Sequence, residues 1–149
     1  MSEKTVYLDN NATTMVDPQV FEAMKPYFCD LYGNPSSMHE FGGQVMHALD
    51  KAREQVKDFL GARDAKEIIF TASGSEGDNM AIRGVLEANK NKKHIITTKI
   101  EHPAVLNVYK YLEKQGYDVT YLDVDSKGNL DLNQLAESIT DETALVSIM

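Results

Sequence analysis

The spacing of apolar residues changes period along the chain. Between residues 40 and 61, Val45, Leu49, Ala52, Val56, Phe59 and Leu60 recur at intervals of three and four, with Lys51, Glu54, Gln55 and Asp58 between them. This is the stripe of an amphipathic helix, and Gly61 stands where a left-handed C-terminal cap belongs. Upstream, Asp17-Pro18 predicts a helix start, with Val20, Phe21, Met24 and Phe28 on one side. A short extended segment (5–8) and a polar loop (9–14) precede it. Residues 31–39 are rich in turn formers and end in hydroxyls able to cap the long helix. Beyond residue 62 the pattern becomes short β-branched runs at 67–71, 94–98, 117–122 and 143–149. They alternate with helical stretches at 75–89, 103–115 and 131–138, one of them opened by Pro103 and closed by Gly116. Such alternation predicts an α/β fold with a mainly parallel sheet flanked by helices. Residues 1–62 read as an N-terminal arm with helices and 63–149 as the start of the sheet. The chain stops on its apolar run 143–149, so we expect it to be the first part of a longer protein.

Candidate chemistry gathers where predicted strands end and helices begin. Ser73-Gly74-Ser75 follows the apolar run 67–71 and opens a helix. The first N–H groups of a helix lack intrahelical partners and carry partial positive charge, Gly74 permits close approach, and the hydroxyls of Ser73 and Ser75 can donate. The segment fits a phosphate cradle, and it equally fits a turn with an N-cap. It contains neither GxxxxGK[ST] nor GxGxxG. A second strand end carries Lys99-Ile-Glu-His102-Pro103. Ligands of open α/β sheets sit beyond the carboxyl ends of the strands, so His102 could stack on an aromatic ligand whose phosphate the serine loop holds. The plainer reading of His102 is a helix N-cap.

Composition narrows the classes. A net charge of −8 argues against a nucleic-acid surface, and no apolar run reaches the length of a membrane span. The N-terminus shows no basic-then-apolar signal segment, and the single cysteine permits no internal disulfide; both suit a cytoplasmic location. His39, His47 and His94 show no metal-ligand spacing, so no metal is expected. Cys29 sits in an apolar context and reads as incidental. Asp123–Asn129 reads as a solvated turn rather than a calcium loop.

Four ordered segments together resemble the NifS/IscS-type cysteine desulfurases, class V members of the fold-type-I pyridoxal phosphate (PLP) enzymes. They are Tyr7-Leu-Asp-Asn-Asn-Ala-Thr-Thr14, then Gly33-Asn-Pro-Ser-Ser-Met-His39 with Gly42, then Phe70-Thr-Ala-Ser-Gly-Ser-Glu-Gly-Asp-Asn79, and Glu101-His102. The resemblance implies that Gly74 and Ser75, beside Ser73, bind the PLP phosphate, and that His102 stacks on the coenzyme ring and assists proton transfer. It places Asn34 and the Ala12-Thr13 loop at the substrate end. The commonest family loop is Thr-Ser-Gly-Ala-Thr-Glu-Ser; here Thr71-Ala-Ser-Gly-Ser-Glu-Gly77 keeps a hydroxyl at Ser75. The implied reaction takes sulfur from L-cysteine, leaves L-alanine and delivers an enzyme persulfide to an iron–sulfur scaffold or other acceptor. Relatives dimerise, which implies a homodimer. The lysine that carries the coenzyme, the aspartate facing its ring nitrogen and the catalytic cysteine fall beyond this chain in the family. None of Lys90, Lys92, Lys93, Lys99 or Cys29 matches those motifs, so the segment alone is expected to be inactive. Rival readings are a selenocysteine lyase, an aminotransferase of the same class, or a non-catalytic fragment of the fold.

Overall fold

The computed structural model describes residues 5–149, which divide into two compact units meeting between Ile69 and Phe70. In the first unit, Asp17 caps helix α1 (Pro18–Met24) by accepting the Gln19 N–H at 2.7 Å. The single helix predicted from residue 17 to 28 is divided. Pro26 has no N–H to continue the ladder, and a separate short helix α2 (Pro26–Cys29) follows. Val20, Phe21, Met24 and Phe28 are all exposed. The long helix α3 (Glu40–Leu60) forms as its stripe predicts and ends at Gly61, whose φ of 69° is left-handed. Its N-cap is His39, not a serine, and makes no side-chain cap bond. Val45, Leu49, Ala52 and Val56 are half-buried, while Phe59 and Leu60 at the end of the stripe are exposed.

Residues 33–42 fold tightly over the first turn of α3. Asn34 accepts the Ser36 N–H on its side-chain oxygen at 2.9 Å, and its carbonyl accepts the Ser37 N–H at 2.9 Å. Gly42 lies so close beneath this turn that a Cβ there would sit 2.3 Å from the Ser37 carbonyl oxygen and 2.6 Å from that of Asn34. Only glycine fits.

The second unit holds helices α4 (Gly74–Ala88), α5 (Pro103–Lys114) and α6 (Leu132–Ser138) and strands β1 (His94–Thr98), β2 (Asp118–Leu122) and β3 (Thr143–Val146). All strands are parallel, in the order β2-β1-β3, with Ile96 opposite both Thr120 and Val146. The predicted strand 67–71 does not form. A 3-10 turn (Ala65–Glu67) occupies its start, Ile69 and Phe70 are exposed, and both edges of β1 are already taken by β2 and β3. A β-branched run without a hydrogen-bonded neighbour has nothing to make it a strand.

The core of this unit lies between the sheet and two helices: Ile82 and Leu86 of α4, Ile95 of β1, and Val105, Val108, Tyr109 and Leu112 of α5. At the opposite end of β1 from residue 98, the buried His94 ring joins all the strands. Its Nδ1 lies 2.8 Å from Thr143 Oγ1 and its Nε2 2.9 Å from Thr120 Oγ1. Tyr121 of β2 faces α5, where its hydroxyl donates to Glu113 at 3.1 Å; partial burial, then this bond, push its pKa up to about 12.

Two predictions follow from this packing. Gly42→Ala drives a methyl into two carbonyl oxygens, and we expect a loss of about 2 kcal/mol in urea unfolding, the usual size of an overpacked position. The Tyr121 phenol binds its proton more tightly folded than unfolded. Stability should therefore fall as pH rises from about 10 to about 12. Tyr121→Phe should flatten that part of the pH profile.

Candidate functional site

Both helices that bear candidate residues start at the same end of the sheet. A short turn, in which the Lys92 N–H bonds the Asn89 carbonyl at 2.9 Å, joins the end of α4 to the start of β1. Helix α5 begins just after β1 ends. Each helix thus runs opposite to β1, and their apolar faces share one core. The N-termini of α4 and α5 accordingly lie side by side at the carboxyl edge of the sheet, where α/β proteins place ligands.

The start of α4 is built by reciprocal capping. Ser73, in extended backbone, accepts the Glu76 N–H on Oγ at 3.2 Å, while the Glu76 carboxylate reaches back to the Ala72 N–H. Thr71 Oγ1 donates to the Ser73 carbonyl at 3.0 Å and steadies the turn from the other side. Glu76 N–H is thereby consumed, and the Gly77 N–H bonds the Ser73 carbonyl. The N–H groups of Gly74 and Ser75, in the first turn, have no intrahelical acceptor. A Cβ at Gly74 would meet nothing within 4 Å, so this side of the turn is open. Ser73 Oγ is an acceptor in the cap and retains its own proton to donate; the exposed Ser75 hydroxyl stands beside it. Two open amides, two hydroxyls and a helix dipole make a fitting receptor for a phosphate group.

His102 follows the plainer of its two readings. It is the N-cap of α5, its Nδ1 accepting the Ala104 N–H at 3.1 Å, and its ring is exposed. An Nδ1 that accepts a hydrogen bond leaves the proton of the neutral ring on Nε2. The preceding residue, Glu101, points the other way and is buried. The loop carrying both is tied to β2: Lys99 N–H bonds the Leu122 carbonyl at 3.0 Å and its ammonium pairs with Asp123 at 2.7 Å.

Ala12, Thr13 and Asn34 belong to the other compact unit and are exposed there. Ala12 N–H bonds the Asp9 carbonyl at 3.2 Å in a turn, and Asn34 shapes the loop over α3. Asp125 is occupied within its own turn, accepting the Asn129 side-chain amide at 2.9 Å and the Asn129 and Lys127 N–H groups at 2.8 Å, bonds that hold its carboxyl below the usual range. Cys29 is exposed. Among the described residues no helix is long and apolar enough to cross a membrane. Two further residues shape these turns, and the sequence reading gave neither of them a structural role. Glu76 was legible, since Ser73 and Glu76 have capping-box spacing. Glu101 was not, because an acidic residue in a turn reads as solvated.

The chain matches the Aminotransferase class-V family model over residues 6–149. It is 64% identical over 144 residues to a cysteine desulfurase of Nostoc sp. (strain PCC 7120 / SAG 25.82 / UTEX 2576), covering 97% of this chain and 36% of that protein. It is 52% identical to the cysteine desulfurase NifS of Azotobacter vinelandii, with the same coverage of both. Among solved structures, a NifS-like protein superposes with a TM-score of 0.88 at 44% identity, covering 94% of this chain and 38% of that one. SspA in complex with cysteine superposes with a TM-score of 0.84 at 40% identity, covering 92% and 40%. The chain thus spans about a third of the length of the curated relatives it matches. From its sequence and its fold alike, this chain belongs to the class V aminotransferase family, and its relatives there are cysteine desulfurases.

Proposed function

We propose that this chain forms the phosphate- and ring-binding part of a PLP-dependent cysteine desulfurase. The enzyme takes sulfur from L-cysteine, leaves L-alanine, and passes a cysteine-bound persulfide to an iron–sulfur scaffold or another acceptor. The observation that carries the reading is the pair of parallel helices opening at one edge of the sheet. One presents free amides and hydroxyls at Gly74 and Ser75, the other an exposed imidazole at His102. A molecule with a phosphate at one end and a flat heteroaromatic ring at the other matches that pair chemically.

When bound, the coenzyme supplies an electron sink for the substrate's α-carbon. This chain's residues do the holding. The Gly74 and Ser75 N–H groups and the Ser75 and Ser73 hydroxyls take the phosphate oxygens. The Ser73–Glu76 cap keeps those amides aimed outward. The imidazole of His102 would hold the coenzyme's ring, with Nδ1 turned back to Ala104 and the proton of the neutral ring on Nε2. Ala12, Thr13 and Asn34 serve the substrate end. The relatives are nearly three times as long. The covalent lysine and the sulfur-accepting cysteine are assigned to the part of such proteins that this chain does not span, and the segment alone is inactive. A cytoplasmic homodimer is the form proposed for the active protein.

The test is product analysis. The protein expressed from its native gene and loaded with PLP should, with an excess thiol present to reduce the persulfide, release alanine and sulfide in equal amounts from L-cysteine. Ser75→Ala should weaken PLP retention about tenfold, as loss of one hydrogen bond to a charged group does. Formation of a keto acid in place of alanine would identify an aminotransferase, and turnover of selenocysteine alone a lyase. Either overturns the proposal.

A further inference from the structure

Glu101 is a buried acid that the proposed chemistry does not use. It is 7% exposed, and its Oε1 has no hydrogen-bond partner among the described residues. Tyr109 of α5 is fully buried, and its hydroxyl likewise lacks an aligned partner. The two nevertheless act on each other. Burial raises the Tyr109 pKa, Ser147 at the end of β3 lies near enough to its hydroxyl to lower it, and the charge of Glu101 raises it again. Two orphaned polar groups buried in the same unit each carry a desolvation penalty that one bridging water removes.

Their place in the chain gives this pair a consequence. Glu101 immediately precedes His102, which sits in extended backbone at φ −62°, ψ 144°. Glu101 faces the core and His102 faces solvent. Tyr109 lies on the buried face of α5, two turns beyond the His102 N-cap. The far end of the loop is already fixed to β2 through Lys99. An inward anchor at Glu101 therefore determines the height and direction of the outward imidazole.

We propose that Glu101 and Tyr109 are positioning residues for His102. The Tyr109 hydroxyl donates to the Glu101 carboxylate through one bridging water, with Ser147 as a third member of the bracket. The bracket holds His102 in its N-cap geometry. That geometry keeps Nδ1 on the Ala104 N–H and fixes the neutral ring as the Nε2–H tautomer, leaving one defined donor on the ligand side. The use of that donor against a coenzyme ring rests on the PLP reading; the bracket itself does not.

The experiment is NMR of the histidine-labelled protein without coenzyme. His102 should show one neutral tautomer, protonated on Nε2, and a protected Ala104 amide. Glu101→Ala should give mixed tautomers and about fivefold faster exchange of the Ala104 amide, the size of a lost N-cap. Glu101→Gln keeps an acceptor of the same shape and should restore both signals. Tyr109→Phe keeps the core filled and should reproduce the Glu101→Ala spectrum, which covers the case that Glu101→Ala does not fold. An unchanged His102 tautomer and Ala104 exchange in Tyr109→Phe, or no rescue by Glu101→Gln, overturns the proposal. A bracket that behaves as described in a protein that binds no PLP would leave this inference standing and remove only the coenzyme reading.

Discussion

The packing of α4 against α5 over one face of β1 is the constraint from which the site follows. Ile82 and Leu86 meet Val105, Val108, Tyr109 and Leu112 above Ile95, and burial of side chains of this kind contributes roughly 1.5–3 kcal/mol each. The contact fixes more than stability. Because each helix is joined to β1 at opposite ends of the strand by a short turn, packing them side by side makes them parallel. Two helix N-termini, with their unpaired amides and their dipoles, are then presented at one edge. The two candidate positions become neighbours without any residue reaching across the sheet.

Polar groups fix what the apolar core leaves free. The His94 ring spans from Thr120 to Thr143 at the back of the sheet and holds the strands in register where their side chains are small. The Lys99–Asp123 pair is exposed and adds little energy, but with the Lys99 N–H it ties the β1–α5 loop to β2. At the start of α4, Ser73 and Glu76 satisfy each other's neighbouring amides and leave the next ones open. The division is economical in a physical sense: the donors that the fold needs are consumed, and those at Gly74 and Ser75 remain for a ligand.

Much of this was legible in the residues. Apolar spacing located α3, and Gly61 and Pro103 marked boundaries that the backbone obeys. The alternation after residue 90 predicted β1, α5, β2 and α6 to within a residue and the start of β3, which ends at Val146 rather than at residue 149. The errors have a common cause. Residues 67–71 look like a strand by composition, yet a strand exists only with a partner, and composition cannot supply one. Phe59, Leu60, Ile69 and Phe70 are apolar and exposed, so the stripe rule overstates burial wherever no second surface covers the stripe. Pro26 breaks a helix that periodicity alone would continue. At the candidate site, the helix start at Gly74 and Ser75 and the N-cap at His102 were readable because local chain chemistry defines them. The burial of Glu101 was not, because it depends on how the loop after β1 packs within the unit, which local sequence does not state.

The central claim is that the start of α4 and the cap of α5 receive one ligand together. Titrating the labelled protein with pyridoxal 5′-phosphate, with pyridoxal and with inorganic phosphate, while following the Gly74 and Ser75 amides and the His102 ring, tests it most directly. The account predicts that pyridoxal 5′-phosphate moves both sets of signals with a single dissociation constant, that phosphate moves the amides alone, and that pyridoxal moves the ring alone and more weakly. Amides and ring responding to pyridoxal 5′-phosphate with separate constants, or one of them not responding, would contradict it.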